Sequence, residues 1–227
     1  MENNRILLGA RLLCASGLVR DGAVLCDVGT DHGKLPIYLV QSDKIKKAYA
    51  TDINQGPINT AKGNIARLGL SERIECLLTD GLEGTDGLGI TDVCICGMGG
   101  ELISRILSDC SYVRSPEISL VLQPMSHAED LRKYLFDSGF VIDDERLVED
   151  ADKLYVVIKA HYCGNITKYE PYQLYLGNVL TVENSGELYL EMCRRVLYHL
   201  NNKQKSNDPV QCENAQRLYD VIKDMIG

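Results

Sequence analysis

The chain has 227 residues, 45% hydrophobic and 25% charged, with a formal net charge of −8; it is long enough for one substantial core with a small appendage. No run approaches the roughly 20 apolar residues of a membrane span, "MENNRILLGARLL" carries no basic-then-apolar secretory leader, and the acidic balance disfavours nucleic-acid binding except through a local basic patch. Nine cysteines without a CxxC pair exclude a zinc ribbon or a thioredoxin-type motif and fit reduced, mostly buried thiols in a cytoplasmic protein.

In chain order, the spacing of Ile6, Leu7, Ala10, Leu13 and Cys14 predicts a helix over 5–19. "AVLCDV" (23–28) is a short buried-strand run, "LPIYLVQ" (35–41) a helix and "KAYATDI" (47–53) a second strand. A helix over 56–70 has Pro57 in its first turn, where a missing N–H costs little, and Gly69 near its end. Strands three and four fall at 73–78 and 91–97, a helix at 101–110, strand five at 118–124, and a helix at 127–139 that stops at Gly139. The segments 140–150 and 153–160 read as a closing pair of strands. This alternation predicts an α/β fold, a doubly wound Rossmann-like sheet with an antiparallel edge. From about 165 only helical periodicity remains, broken by "KSNDPV", which predicts two or three helices packed on one another or on the sheet. The expected organisation is a domain over 1–160 and a small helical domain over 165–227.

Ligands of doubly wound sheets bind at the carboxyl ends of the strands, where the chain order reverses. "CDVGTDHGKLP" follows the first strand there, with Gly29 and Gly33 allowing a tight turn. The dinucleotide fingerprint GxGxxG fails, and Asp27 and Asp31 would repel a pyrophosphate. They suit a cationic ligand instead, and the ammonium and sulfonium of S-adenosylmethionine fit. Asp52, ending the second strand, suits a ribose diol; Asp80, after the third, suits an adenine amine; "CGMGG" (96–100), after the fourth, offers a backbone floor through Gly97 and Met98. Thr30, His32, Ile53 and Gly81 complete the expected cofactor set. Any single acid is better explained by a helix cap or a solvated loop, and His32 either caps the next helix or contacts the cofactor; the succession over four strand ends is what is specific. Four histidines without ligand spacing give no metal site.

The stretches "DVGTDHGKLPIYLV", "TDINQGPINTAKGNI", "DGL", "CGMGG", "LQP" and "YVVIK", in this order and spacing, resemble the bacterial tRNA (adenine(22)-N(1))-methyltransferase family, the TrmK type. The likeness is close over residues 5–160 and loose over the tail. It implies a class I methyltransferase domain that uses S-adenosylmethionine and yields S-adenosylhomocysteine. It also implies methylation of a tRNA adenine, a coiled-coil-like C-terminal domain that helps hold the tRNA, and a substrate side that includes Gly99, Gln123 and Pro124. The chain departs from the family pattern at Lys34, where an aromatic is expected, and at Met125, where an asparagine is expected.

Adenine N(1) attacks through an in-plane lone pair, so positioning carries most of the catalysis. The product base is cationic, and Asp31 is the candidate acid to stabilise it. Arg5, Arg11, Lys34, Arg132, Lys133, Arg194, Arg195, Lys203 and Lys205 are candidate tRNA contacts, with Arg11, Lys34, Arg194 and Arg195 foremost. With no Trp and two Phe, an aromatic clamp falls to Tyr38 or Tyr155, both in apolar runs that favour core packing. The expected partner is tRNA rather than a membrane, for a monomer or weak dimer. A methyltransferase of a small molecule or protein, and a non-catalytic nucleotide-binding scaffold, are the alternatives.

Overall fold

The computed structural model describes residues 5–204 and 208–226, and its seven strands form one sheet. The five apolar runs become β1 (Ala23–Val28), β2 (Ile45–Asp52), β3 (Ile74–Leu78), β4 (Asp92–Met98) and β5 (Ser119–Pro124), all parallel. The closing pair becomes β6 (Phe140–Asp150) and β7 (Lys153–Tyr162), and the order across the sheet is β3-β2-β1-β4-β5-β7-β6. β7 runs antiparallel to both β5 and β6, which makes the antiparallel edge. The chain order reverses between β1 and β4, so a crevice forms at their carboxyl ends.

Successive strand side chains point to opposite faces, and the two faces are covered differently. Leu25, Cys94, Val121 and Val157 join a core with α1 (Ala10–Leu18), α2 (Lys34–Gln41) and α3 (Gln55–Arg67). Cys26, Val93, Leu122 and Ile158 join a second core with α4 (Gly100–Ser108) and α5 (Ala128–Asp137). The tail supplies α6 (Pro171–Leu176), α7 (Val182–Lys203) and α8 (Pro209–Ile226), and Leu176, Met192, Leu200 and Ile222 belong to that second core. Among the described residues no helix is long and apolar enough to cross a membrane.

The first helix begins later than its spacing predicts. Ile6 and Leu8 are half-buried while Leu7 is exposed, a period of two rather than 3.6. Residues 5–9 lie outside the helix, the Ile6 N–H donates to Gln41 Oε1 at 3.0 Å, and α1 starts only after Gly9.

The tail is fastened to the sheet by a buried ion pair. Arg132 Nε lies 2.7 Å from Glu145 Oε1, with side-chain exposures of 1% and 0%. Arg132 Nη1 donates to the carbonyls of Leu174 and Tyr175, and Glu145 Oε2 accepts from the Asn178 and Val179 N–H groups. Gly177 sits so close that a Cβ there would lie 2.2 Å from Glu145 Oε2. Arg132 is therefore no surface cation for phosphate, as its sequence setting suggested: burial and Glu145 consume it. Lys133 pairs with Asp137 at 2.5 Å, and Lys205 lies outside the described residues.

Candidate functional site

The turn after β1 is strapped to its neighbour. The Gly29 and Thr30 N–H groups both donate to the Thr51 carbonyl of β2, at 2.8 and 2.9 Å. Gly29 has φ +72, and a Cβ there would lie 2.3 Å from Met98 Cε, so the turns after β1 and β4 touch at this glycine. Asp27 is buried, and Thr30 Oγ1 donates to its Oδ2 at 2.6 Å. Burial pushes its carboxyl up to about 6; the Thr30 hydrogen bond opposes this, and nearby Asp52 adds to it.

Asp31 has φ +53, a left-handed conformation uncommon for a side-chain-bearing residue. Its exposed carboxylate lies 3.4 Å from His32 Nε2. Neither side chain caps α2; left-handed Gly33 occupies that position without a side-chain bond. The cap explanation for both residues therefore fails.

Asp27, Gly29, Thr30, Asp31, His32 and Gly97 line one cavity of about 330 Å3 together with Arg11 and Lys34. Asp52 ends β2 and Ile53 follows it, both outside that cavity, and Asp52 Oδ1 accepts from the Asn54 N–H at 2.9 Å. Asp80 and Gly81 line a separate cavity of about 430 Å3 with Arg105, Ile106 and Tyr112. Ile53 and Leu78 are exposed aliphatics at adjacent strand ends.

Two expected substrate contacts are spent internally. Gln123 is fully buried: its Oε1 accepts from Arg11 Nη1 at 2.6 Å and from the Gly97 N–H at 3.2 Å, and its Nε2 donates to the Pro124 carbonyl at 2.8 Å. It braces the loops and has no amide left for a substrate. Arg11 also pairs with Asp150 at 3.3 Å, donates to Met125 Sδ, and lies 5.1 Å from the centre of the Tyr155 ring. It forms a wall of the cavity, already charge-compensated. Gly99 caps α4, and the next residue, Gly100, is so close to the His127 carbonyl that a Cβ would lie 2.0 Å from it. Pro124 and Arg195 line a further cavity beyond Met125. Arg194 pairs with Glu187 at 2.8 Å and Arg195 with Glu191 at 2.7 Å. Lys34, by contrast, is exposed and has no ion-pair partner among the described residues. Tyr38 lines a groove with Asp21 and Lys44 at the opposite ends of the strands, which removes it as a clamp.

The residues at the β1 turn fit a cofactor that is cationic at one end. They offer two carboxylates in one cavity, one of them destabilised by burial without a cation, beside a glycine wall that a Cβ would fill.

The chain matches the methyltransferase domain family over residues 8–158. It is 29% identical over 227 residues to the tRNA (adenine(22)-N(1))-methyltransferase of Bacillus subtilis, spanning 98% of this chain and 95% of that protein. The crystal structure of the B. subtilis tRNA methyltransferase TrmK superposes with a TM-score of 0.86 at 26% identity, covering 98% of this chain and 100% of that one. Sp1610 of Streptococcus pneumoniae, solved with S-adenosyl-L-methionine, gives a TM-score of 0.80 at 30% identity over 96% of this chain and 98% of its own. The chain belongs to the methyltransferase domain family and, within it, to the tRNA (adenine(22)-N(1))-methyltransferase, or TrmK, type.

Proposed function

We propose that this chain transfers a methyl group from S-adenosylmethionine to N(1) of a tRNA adenine, at position 22 as in the reaction named for its B. subtilis relative. The observation that carries the reading is the cavity in which Asp27 and Asp31 face the glycine turns beside Lys34. When bound, the cofactor supplies a methyl group on a sulfonium, which a neutral ring nitrogen attacks without prior deprotonation. Asp27 and Asp31 hold its cationic end, Gly29, Thr30, His32, Gly97 and Met98 wall it, Asp52 takes the ribose beside Ile53, and Asp80 and Gly81 take the adenine. Asp31 has a second role as the catalytic acid anion. Its exposed carboxylate lines the same cavity, and a preorganised negative charge facing the methylated base would act mainly on the transition state, where positive charge develops.

Lys34 is a free cation at the rim for a tRNA phosphate. Residues 1–160 serve as the cofactor and catalytic part, and 165–227 as the tRNA-contacting part, with Arg194 and Arg195 on its long helix. The enzyme acts in the cytoplasm, where its tRNA substrate is, as a monomer or weak dimer independent of membranes.

The deciding experiment incubates the full chain with methyl-labelled cofactor and unmodified tRNA, then digests the RNA to nucleosides. Label in 1-methyladenosine is the expected result. Label in a protein or small-molecule fraction alone, or in no product while cofactor binding is intact, would replace the reading with a different acceptor or a non-catalytic scaffold.

A further inference from the structure

Arg11 draws together parts of the crevice that are far apart in sequence. Between β4 and β5 the register slips: Cys96 pairs with Gln123 and Met98 with Pro124, so Gly97 is an extra residue, a bulge with φ +84. Bulges beside active sites re-aim a side chain. This one aims Met98 at the Gly29 turn, where its Cε occupies the space that a side chain on Gly29 would need. The Met98 carbonyl accepts from the Met125 N–H at 2.8 Å, which ties the turn after β4 to the loop after β5.

The bulge is held by a side chain. Its N–H donates to Gln123 Oε1, and the same oxygen accepts from Arg11 Nη1. A glutamine amide can sit either way round, with oxygen and nitrogen exchanged. Arginine offers donors only and the Pro124 carbonyl only accepts, so the two fix which end is oxygen. Turned round, Gln123 would set an N–H against the Gly97 N–H. Arg11 is itself held from a third side. Asp150, the last residue of β6, pairs with its Nε and accepts from its backbone N–H, each at 3.3 Å, and the Tyr155 ring of β7 packs against its guanidinium.

We propose that Arg11 is a positioning residue for methyl transfer: by holding the Gln123 amide it fixes the Gly97 bulge, and with it the Met98 wall of the cofactor cavity. It acts through Gln123 rather than on the RNA. The proposal rests on the reading that Gly97 and Met98 wall the cofactor. Arg11 is suited to hold a loop rather than a phosphate, because Asp150 already matches its charge and Gln123 occupies its fork. Lysine cannot stand in, since an ammonium has no planar fork to hold Gln123 and Asp150 together. A wall displaced by about 1 Å misaligns the transfer and costs up to about a hundredfold in rate. Binding is spread over the several acids of the site and suffers less.

The test uses full-length Arg11→Ala and Arg11→Lys. Amide exchange read by mass spectrometry, without cofactor, should quicken in the peptide that carries Gly97 and Met98 and stay unchanged in peptides from α7 and α8. Both variants should lose about a hundredfold in kcat, with the KM for tRNA and the affinity for S-adenosylhomocysteine nearly unchanged. Guanidinium at a non-denaturing concentration should restore turnover to Arg11→Ala and not to Arg11→Lys, whose ammonium fills the place. Should Arg11→Ala fail to fold, Arg11→Lys, which keeps a cation for Asp150, carries the exchange and kinetic arms. A raised KM for tRNA at native kcat would make Arg11 an RNA contact. Native turnover by Arg11→Lys would make its charge sufficient. Turnover that falls only with the melting temperature, without rescue, would make it a structural residue. Each of these overturns the proposal, as does unaltered exchange at Gly97. Wild-type protein that fails to methylate tRNA would sink the acceptor reading alone, because the exchange and affinity measurements need no acceptor.

Discussion

Asp27 and Glu145 are both carboxylates buried in this chain, and their surroundings are opposite. Glu145 meets a guanidinium from α5 and two backbone N–H groups from the loop between α6 and α7. Asp27 has one threonine hydroxyl, and its carboxyl is pushed up to about 6. The first environment is complete and acts as a rivet between sheet and tail. The second is incomplete without a cation, the surroundings that the proposed role in holding the cofactor's cationic end calls for.

The contrast can be broken most directly at the rivet. Glu145→Ala leaves Arg132 buried and uncompensated, so stability should fall by about 3–5 kcal/mol in urea denaturation. A loss below about 1 kcal/mol would mean that the pair contributes no more than a surface bridge.

Asp27 should respond in the other direction. Its folded pKa of about 6 lies above the ordinary 3.8, so folding favours the protonated carboxyl. That stabilisation is complete below about pH 4 and is lost as pH rises through 6; by pH 7 ionisation costs the fold about 3 kcal/mol. Asp27→Asn should therefore melt higher than the parent at pH 7.5, with the difference vanishing near pH 4, while its affinity for S-adenosylmethionine falls. Equal melting curves at both pH values would remove the carboxyl from the buried, uncompensated class.

Gly29→Ala sharpens the same point through shape. The collision with Met98 and the left-handed φ should cost about 1–3 kcal/mol, and calorimetry should show cofactor affinity lost beyond what the melt predicts. The smallest effect belongs to the tail surface. Arg194→Ala should leave the melting temperature unchanged and weaken tRNA binding only a few-fold, lowering the salt dependence by about one phosphate contact. An unaltered salt slope would take Arg194 off the RNA path.

What was legible in the sequence follows the distance between partners. Asp27, Gly29 and Thr30 lie within four positions of one another, and their turn could be read as a ligand turn from the letters alone. The strands could be read from apolar runs, because both faces of this sheet are covered. Gln123 was misplaced because its amide is consumed by Arg11, 112 residues away, and no local pattern announces that. Arg132 looked like a solvated helix cation because its partner Glu145 lies in the next strand. The start of α1 was misread because Ile6, Leu7 and Leu8 satisfy either period until the neighbouring Gln41 shows which one the core uses.

The outer strands decide how copies of this chain can meet. β3, at one margin, is only five residues long. β6, at the other, is eleven residues long, but it carries Asp143, Asp144, Arg146, Glu149 and Asp150, and its pairing slips between Ile142 and Asp144. Both α1 and α7 pack against it. Short margins, charged margins and irregular margins all resist strand addition from another molecule. The two margins of the sheet are therefore poor templates for lengthening by a second copy.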